Sequence, residues 1–272
     1  MPGDVDGNLV PDAALLGTGS VAEVILGIDS TPTKVRMGSA ALGADIGVAP
    51  GDLSSSLITV AKSAKTFQWR STAVLTGVTR VFKTTVGTGI PVLGCYVGNT
   101  YTAASIVPGK ISSSLKFYTG TPDVVMKLPA GAVRARCGTA VNGASAVFTL
   151  VRNPQRKTMN VVAKAGAAQI FSSAPIDKKL SQTGMLLGVV VRGAGEHPTV
   201  MILARKGKAH VLSVRDKTNK WKTIVVPGIA AGSTPTSFTS VRVGSTTYIV
   251  VQLTDKTKVT SYKSVIVPAG YL

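Results

Sequence analysis

The sequence predicts an all-β fold of about 16–20 short antiparallel strands, from three observations. Its apolar runs are short, rich in Val, Ile and Thr, and closed by Gly, Pro, Asn or Asp. The segments between them are mostly short, as hairpins require. No helical period recurs between the runs, which removes the βαβ units of a parallel sheet. With 44% hydrophobic and 15% charged residues, 272 residues can fill a core, so a folded chain is expected rather than global disorder. Aromatics are only 5%, so Val, Ile, Leu and Ala supply most of that core.

In chain order, "PDAALLG" (Pro11–Gly17) reads as one helical turn and "AEVILGI" as the first strand. "GDLSSSLITVAKSAKTF" (Gly51–Phe67) fits two states. One is a helix capped by Asp52 with Leu53, Leu57 and either Val60 or Ala61 on one side; the other is a strand over Ser56–Lys62. Strands follow at "TAVLTGV", "PVLGCYV", "AVFTLVR", "TMNVVAK", "GVVVRG", "TVMILA", "HVLSVR", "KTIVV", "TSVRV", "TYIVVQL" and "VIVP". "RKGK" and "DKTNK" read as turns, with Gly207 free to take positive φ. The stretches at 21–28, 74–82, 132–138, 187–193 and 239–244 each could open a unit of four strands, and "KWKTIVVPG" and "YKSVIVPAG" close alike. Five units of about 54 residues would make a five-bladed propeller. Their inner offsets vary widely, however. The architecture expected first is therefore an antiparallel sandwich or jelly roll, with two packed β domains as a variant, and the five-bladed propeller is the alternative.

Charge divides the chain. Residues 1–60 hold seven acids and two bases, whereas residues 61–272 hold 28 bases and five acids, within a total of +18. This reads as an acidic N-terminal segment (1–60) packed on a basic body (61–272), with a sub-boundary near 176–184. The expected anion- or nucleic-acid-binding residues are Arg134, Arg136, Arg152, Arg156, Lys157, Lys178, Lys179, Arg205, Lys206, Lys208, Arg215, Lys217, Lys220 and Lys222. The groups within 205–222 read as one patch on neighbouring hairpin tips. Aromatics do not interleave with these bases, so contact with a phosphate backbone is favoured over base stacking.

Motifs for chemistry are weak. "GTGSVAEVILG" (Gly17–Gly27) has the letters of a phosphate loop, but no strand precedes it and a strand follows, so a turn is expected. "DVDGN" (Asp4–Asn8) has the acid spacing that opens a calcium loop. Ala13–Gly19 lacks the closing bidentate acid, so an acidic, mobile terminus without metal is expected. Cys95 and Cys137 read as two small buried hydrophobes, and with His197 and His210 they fit no zinc spacing. Both histidines read as structural, and no catalytic set or cofactor is expected. The N-terminus lacks the pattern of a signal peptide and no run reaches membrane-span length, so the expected setting is intracellular or within a virus particle.

The function expected first is a non-catalytic structural protein of virus coat or matrix type. It would assemble with copies of itself and face nucleic acid or an anionic membrane surface, with no small-molecule substrate. A propeller binding module such as a lectin, and a general nucleic-acid-binding protein, are the alternatives.

Overall fold

The computed structural model describes residues 4–271 apart from 7, 17–20, 28–32, 38–40, 98–99, 110–111, 121, 140–144, 154, 166–167, 191–197, 216–219, 230–231 and 258. Among the described residues the strands fall into six antiparallel sheets that follow one another along the chain, plus one two-stranded hairpin inserted in the third. Sheet 1 holds β1 (Ala13–Leu16), β2 (Ala22–Leu26) and β3 (Thr33–Met37). Sheet 2 holds β4 (Ala41–Gly47), β5 (Ser56–Ser63), β6 (Thr66–Thr72) and β7 (Thr79–Val86). Sheet 3 begins with β8 (Ile90–Val92), is interrupted by the hairpin β9 (Tyr96–Val97) and β10 (Thr100–Tyr101), and resumes with β11 (Ala104–Val107), β12 (Ser114–Phe117) and β13 (Val124–Lys127). Sheet 4 holds β14 (Ala132–Thr139), β15 (Ser145–Asn153), β16 (Thr158–Ala165) and β17 (Ala168–Ser172). Sheet 5 holds β18 (Leu186–Val190), β19 (Thr199–Lys206), β20 (Ala209–Arg215) and β21 (Trp221–Val225). Sheet 6 holds β22 (Thr234–Val243), β23 (Thr246–Thr254) and β24 (Thr260–Val267).

These sheets are the blades of a six-bladed β-propeller. The first strand of each blade lies innermost, and residues from all six inner strands line one central chamber. The reason is in the side chains. Each sheet carries apolar residues on both faces, so neither face can be left in water. Six buried clusters result, one between each pair of neighbours. Ile58, Val60, Phe67 and Trp69 of blade 2 meet Tyr101 and Tyr118 of blade 3. Phe148, Leu150 and Val161 of blade 4 meet Leu187, Val200 and Ile202 of blade 5. Met201 and Leu212 of blade 5 meet Phe238, Ile249 and Val251 of blade 6. The ring closes where Ala13, Leu15 and Ile25 of blade 1 meet Val241 and Val250 of blade 6.

Blade 1 closes the ring in an unusual way. Blades with four strands send their outer strand to the face where the next inner strand begins. Blade 1 has three, and β3 must still end where β4 begins. β1 therefore runs opposite to the other inner strands. Leu16 sits in the upper chamber of the channel and Asp12 in the lower one, whereas on β4 Leu42 is above and Ile46 below.

Several expectations change. The sandwich gives way to the propeller, and five blades to six, because blades 1 and 6 have three strands and blade 3 carries an inserted hairpin. These break the even spacing on which a repeat count depends. "PDAALLG" supplies β1, and the ambiguous stretch is strand β5, with its first six residues buried. The charge boundary at residue 60 falls inside β5, while 176–184 lies in the connector between β17 and β18. No helix among the described residues is long and apolar enough to cross a membrane.

Cys95 and Cys137 are joined in a disulfide rather than being two separate thiols. The bond ties the loop after β8 to β14, so it staples blade 3 to blade 4 near the channel. Sequence spacing could not show this, because only the ring brings those strands side by side.

Two stability measurements follow. Replacing both cysteines by Ala should lower unfolding free energy by roughly 4 kcal/mol, the chain-entropy value for a loop of this length, seen as a lower denaturation midpoint. Leu15→Ala should cost about 2–5 kcal/mol, since Leu15 is fully buried at the closure. Unchanged cooperative unfolding of that variant would show that the ring does not close through β1.

Candidate functional site

A meander places consecutive turns at opposite ends of a blade. The face on which β4, β14, β18 and β22 begin is termed upper. It carries the β5–β6, β15–β16, β19–β20 and β23–β24 turns and the connectors between blades. Lys62 and Lys65 lie at the first of these turns, Arg152, Arg156 and Lys157 at the second, Arg205, Lys206 and Lys208 at the third, and Lys256 at the fourth. Lys178 and Lys179 lie on the connector from blade 4 to blade 5.

Among the described residues of these upper turns and connectors, acids are few. Asp177 pairs with Lys206 at 2.8 Å, and with the Lys179 N–H this holds its carboxyl below the usual range. Asp255 accepts from the Thr257 hydroxyl and the Val259 and Thr257 N–H groups, which likewise lowers its pKa. The upper face is thus strongly positive. By contrast, Asp4, Asp6, Asp12, Asp45, Asp52 and Asp123 lie toward the lower face, where Asp52 pairs with Arg80 and Asp123 with Lys116.

Two concavities open above. The upper chamber of the channel has a volume of 510 Å³ and carries Lys62, Arg134 and Arg136 on walls that include Ala14, Leu186 and Phe238. A second cleft of 670 Å³ lies between blades 4 and 5, with Arg134 and Arg152 on one side and Gln182–Gly184 on the other. Arg134 borders both. Water reaches its guanidinium, yet the surrounding walls desolvate it enough to hold its pKa below the usual value.

The lower chamber is differently built. Asp45 accepts a hydrogen bond from the Tyr101 hydroxyl at 3.1 Å, and Arg136 lies 3.7 Å from the same carboxylate. The Gly94 N–H donates to the Tyr101 oxygen at 2.9 Å. Burial and the adjacent Asp45 charge push the Tyr101 hydroxyl well above its ordinary pKa, so it stays a proton donor. This network and the disulfide fasten the inserted hairpin of blade 3 beneath the channel.

The expected binding residues therefore divide. Arg134, Arg152, Arg156, Lys157, Lys178, Lys179, Arg205, Lys206 and Lys208 share the upper face. Arg136 is directed into the channel and is paired with Asp45. Arg215, Lys220 and Lys222 lie at the far end of blade 5, and Lys217 falls outside the described residues. The supposed single patch over 205–222 is thus two, because the seven residues of β20 hold its turns roughly 20 Å apart. Lys256 joins the upper face unforeseen, since in the sequence it stands far from the other groups. His210 opposite Arg205 is held below its usual pKa by burial and by that charge; His197 lies outside the described residues.

The acidic N-terminal stretch bends back on its own carboxylates. The ligand atoms of Asp4, Asp6 and Asp12 all lie within 4.8 Å of one another. Asp12 also accepts from the Val5 and Gly27 N–H groups at 2.8 and 3.1 Å, and Asp4 from Leu9 at 3.0 Å. Burial raises the Asp12 pKa, these backbone bonds oppose it, and the Asp6 and Asp4 charges add to it. The third acid of this group, Asp12, stands one residue before Ala13–Gly19, where the closing acid is expected.

Three converging carboxylates are a donor set for a hard divalent cation such as calcium. A raised carboxyl pKa means that Asp12 destabilises the fold when ionised and that protons compete with a cation. Millimolar calcium should therefore raise Tm near neutral pH, less so as pH falls through the raised Asp12 pKa, and not in Asp12→Asn. A Tm indifferent to calcium at every pH would reduce the trio to a brace for its own turn.

No protein-family model and no curated protein matches the chain. Solved structures do resemble it. The SapL1 lectin in complex with α-methyl fucoside aligns over 96% of this chain and 94% of its own, with a TM-score of 0.60 and 8% identity. A structure of the nidogen/laminin complex aligns over 92% of this chain and 91% of its own, with a TM-score of 0.56 and 13% identity. At these identities the likeness is one of fold alone, and it agrees with the radial ring of six sheets.

Proposed function

We propose that this chain is a non-catalytic β-propeller binding module that takes an acidic carbohydrate on its upper face. The observation that carries this reading is the sorting of bases. Nine of the fourteen expected binding residues share the upper face, around two concavities, with two acids among the described residues of its turns and connectors to balance them. Unbalanced like charge costs stability unless an anionic partner offsets it. The fold is compatible with sugar binding, since a structure of similar architecture is a lectin holding a methyl fucoside. Charge rather than ring stacking would supply the affinity, because Trp69 is fully buried and the Trp221 indole donates to the Ala174 carbonyl at 2.9 Å.

The disulfide fits an oxidising compartment, which favours an extracytoplasmic setting over the intracellular one expected from sequence. The coat-protein reading, and with it a basic body gripping nucleic acid, draws nothing from the fold or the structural likenesses.

Binding to a sulfated or uronate-bearing polysaccharide should fall steeply with salt. Replacing Lys65, Arg156, Lys208 and Lys256 with Ser should weaken it strongly while leaving folding intact, because exposed turn residues cost little to remove. Lys220→Ser, on the lower face, should leave it unchanged. Equal loss from both variants, or preference for neutral glycans, overturns the reading, and tighter binding to mixed-sequence nucleic acid than to any acidic glycan would replace it.

A further inference from the structure

We infer that the cleft between blades 4 and 5 is a subsite for one acid group of a sugar, a carboxylate or a sulfate, clasped by Arg134 and Arg152. This deepens the proposed function and rests on the upper face being the one that carries ligand.

The geometry comes from a break in the strand register. Arg134 on β14 lies opposite Leu150 on β15, and Ala132 lies opposite Val151, so residue 133 is an inserted bulge. Regular alternation would put the side chains of 132 and 134 on one face. The bulge instead turns Ala132 into the core between blades 3 and 4 and leaves Arg134 facing blade 5. No side chain from 132 then stands above Arg134, and Val133 forms the rim. Arg152 shares this face, two residues beyond Leu150 and opposite Met159.

The backbone beneath is fixed. Gly131 takes a φ of 80°, its carbonyl accepts the Arg152 N–H at 2.9 Å, and a Cβ on Gly131 would collide with the Arg152 carbonyl oxygen. The far wall is fixed as well, since the Gln182 side chain donates to the Lys157 carbonyl at 2.9 Å. Leu150, Met159 and Met185 form an apolar floor.

Neither arginine has an acid partner among the described residues. Two neighbouring cations do have one: Arg136 has Asp45 and Lys206 has Asp177. Both side chains are open to solvent on one side, and an oxyanion that accepts two parallel N–H bonds is the ligand that best matches two unpaired guanidinium groups on one face. The apolar floor suits the carbon face of a sugar ring, and the Thr183 and Gly184 edge suits its hydroxyls. A bare inorganic anion would use only the arginines.

The test uses the full chain with three probes: glucuronate, glucose 6-sulfate and neutral glucose, followed by ligand-observed NMR and thermal shift. The two acidic sugars distinguish carboxylate from sulfate as the preferred group, and glucose should show no binding. Arg134→Gln and Arg152→Gln should each weaken acidic-sugar binding by about tenfold or more, the loss of one charge-assisted contact. Arg134→Lys should recover only part of it. Without ligand, Arg134→Gln should keep or raise Tm, since it removes an unpaired charge, whereas an arginine serving only the fold would lower Tm when replaced. If acidic polysaccharides bind but the monosaccharide acids do not, or bind the Gln variants equally well, the subsite is wrong and the proposed function stands. If the acidic sugars bind in the cleft but no polysaccharide binds the upper face, the subsite stands and the wider reading falls. If inorganic sulfate binds as tightly as glucose 6-sulfate, the cleft is an anion hole without sugar selectivity and the inference is overturned.

Discussion

Every sheet in this chain is apolar on both faces, and that one constraint organises the rest. A sheet with two dry faces needs two neighbours. A row of such sheets leaves its ends exposed, and only a ring leaves none. The six buried clusters, one per gap, are the physical content of the ring. Closure falls to blade 1, whose small residues Ala13, Ala14 and Ala22 let β1 sit between β4 and β22 despite its reversed direction. Among the described residues no strand is shared across the joint, which is closed by side-chain packing.

The same meander decides where charge goes. Turns separated by one strand lie on opposite faces, and turns separated by two lie on the same face of a blade. Bases that are neighbours in the sequence, such as Lys208 and Lys220, are therefore parted, and bases far apart, such as Lys65 and Lys256, share a surface. A charge count along the chain shows an acidic start and a basic remainder. In three dimensions it becomes a difference between faces, because the early acids Asp4, Asp6, Asp12, Asp45 and Asp52 all belong to lower ends of strands or the loops beneath them.

Strand content was legible because a strand announces itself locally. "TVMILA" and "TYIVVQL" are short, β-branched and closed by turn residues, and they became β19 and most of β23. Blade boundaries were not legible, since nothing local marks which strand is innermost. The suggested openings near 132, 187 and 239 fell on the inner strands β14, β18 and β22, while those at 21–28 and 74–82 fell elsewhere. Pairings that depend on the ring were invisible for the same reason. Cys95 meets Cys137, and Asp45 meets Tyr101 and Arg136, only after three blades have been placed around an axis. Arg134 and Arg152 were named from the sequence as bases, but their shared face depends on a bulge that no residue type declares.

Arg134 and Arg136 show how far identical chemistry is divided by position. They are two residues apart on one strand, on one face, both reaching the channel. Arg136 descends to Asp45, which itself is held by the Tyr101 hydroxyl, so its charge is neutralised within the protein. Arg134 stands one pleat higher, above the level of that acid, where the walls desolvate it without offering an anion. A fold could remove such a cost by a single change to an uncharged residue. The open side of the cleft is the direction from which the proposed anion would reach Arg134.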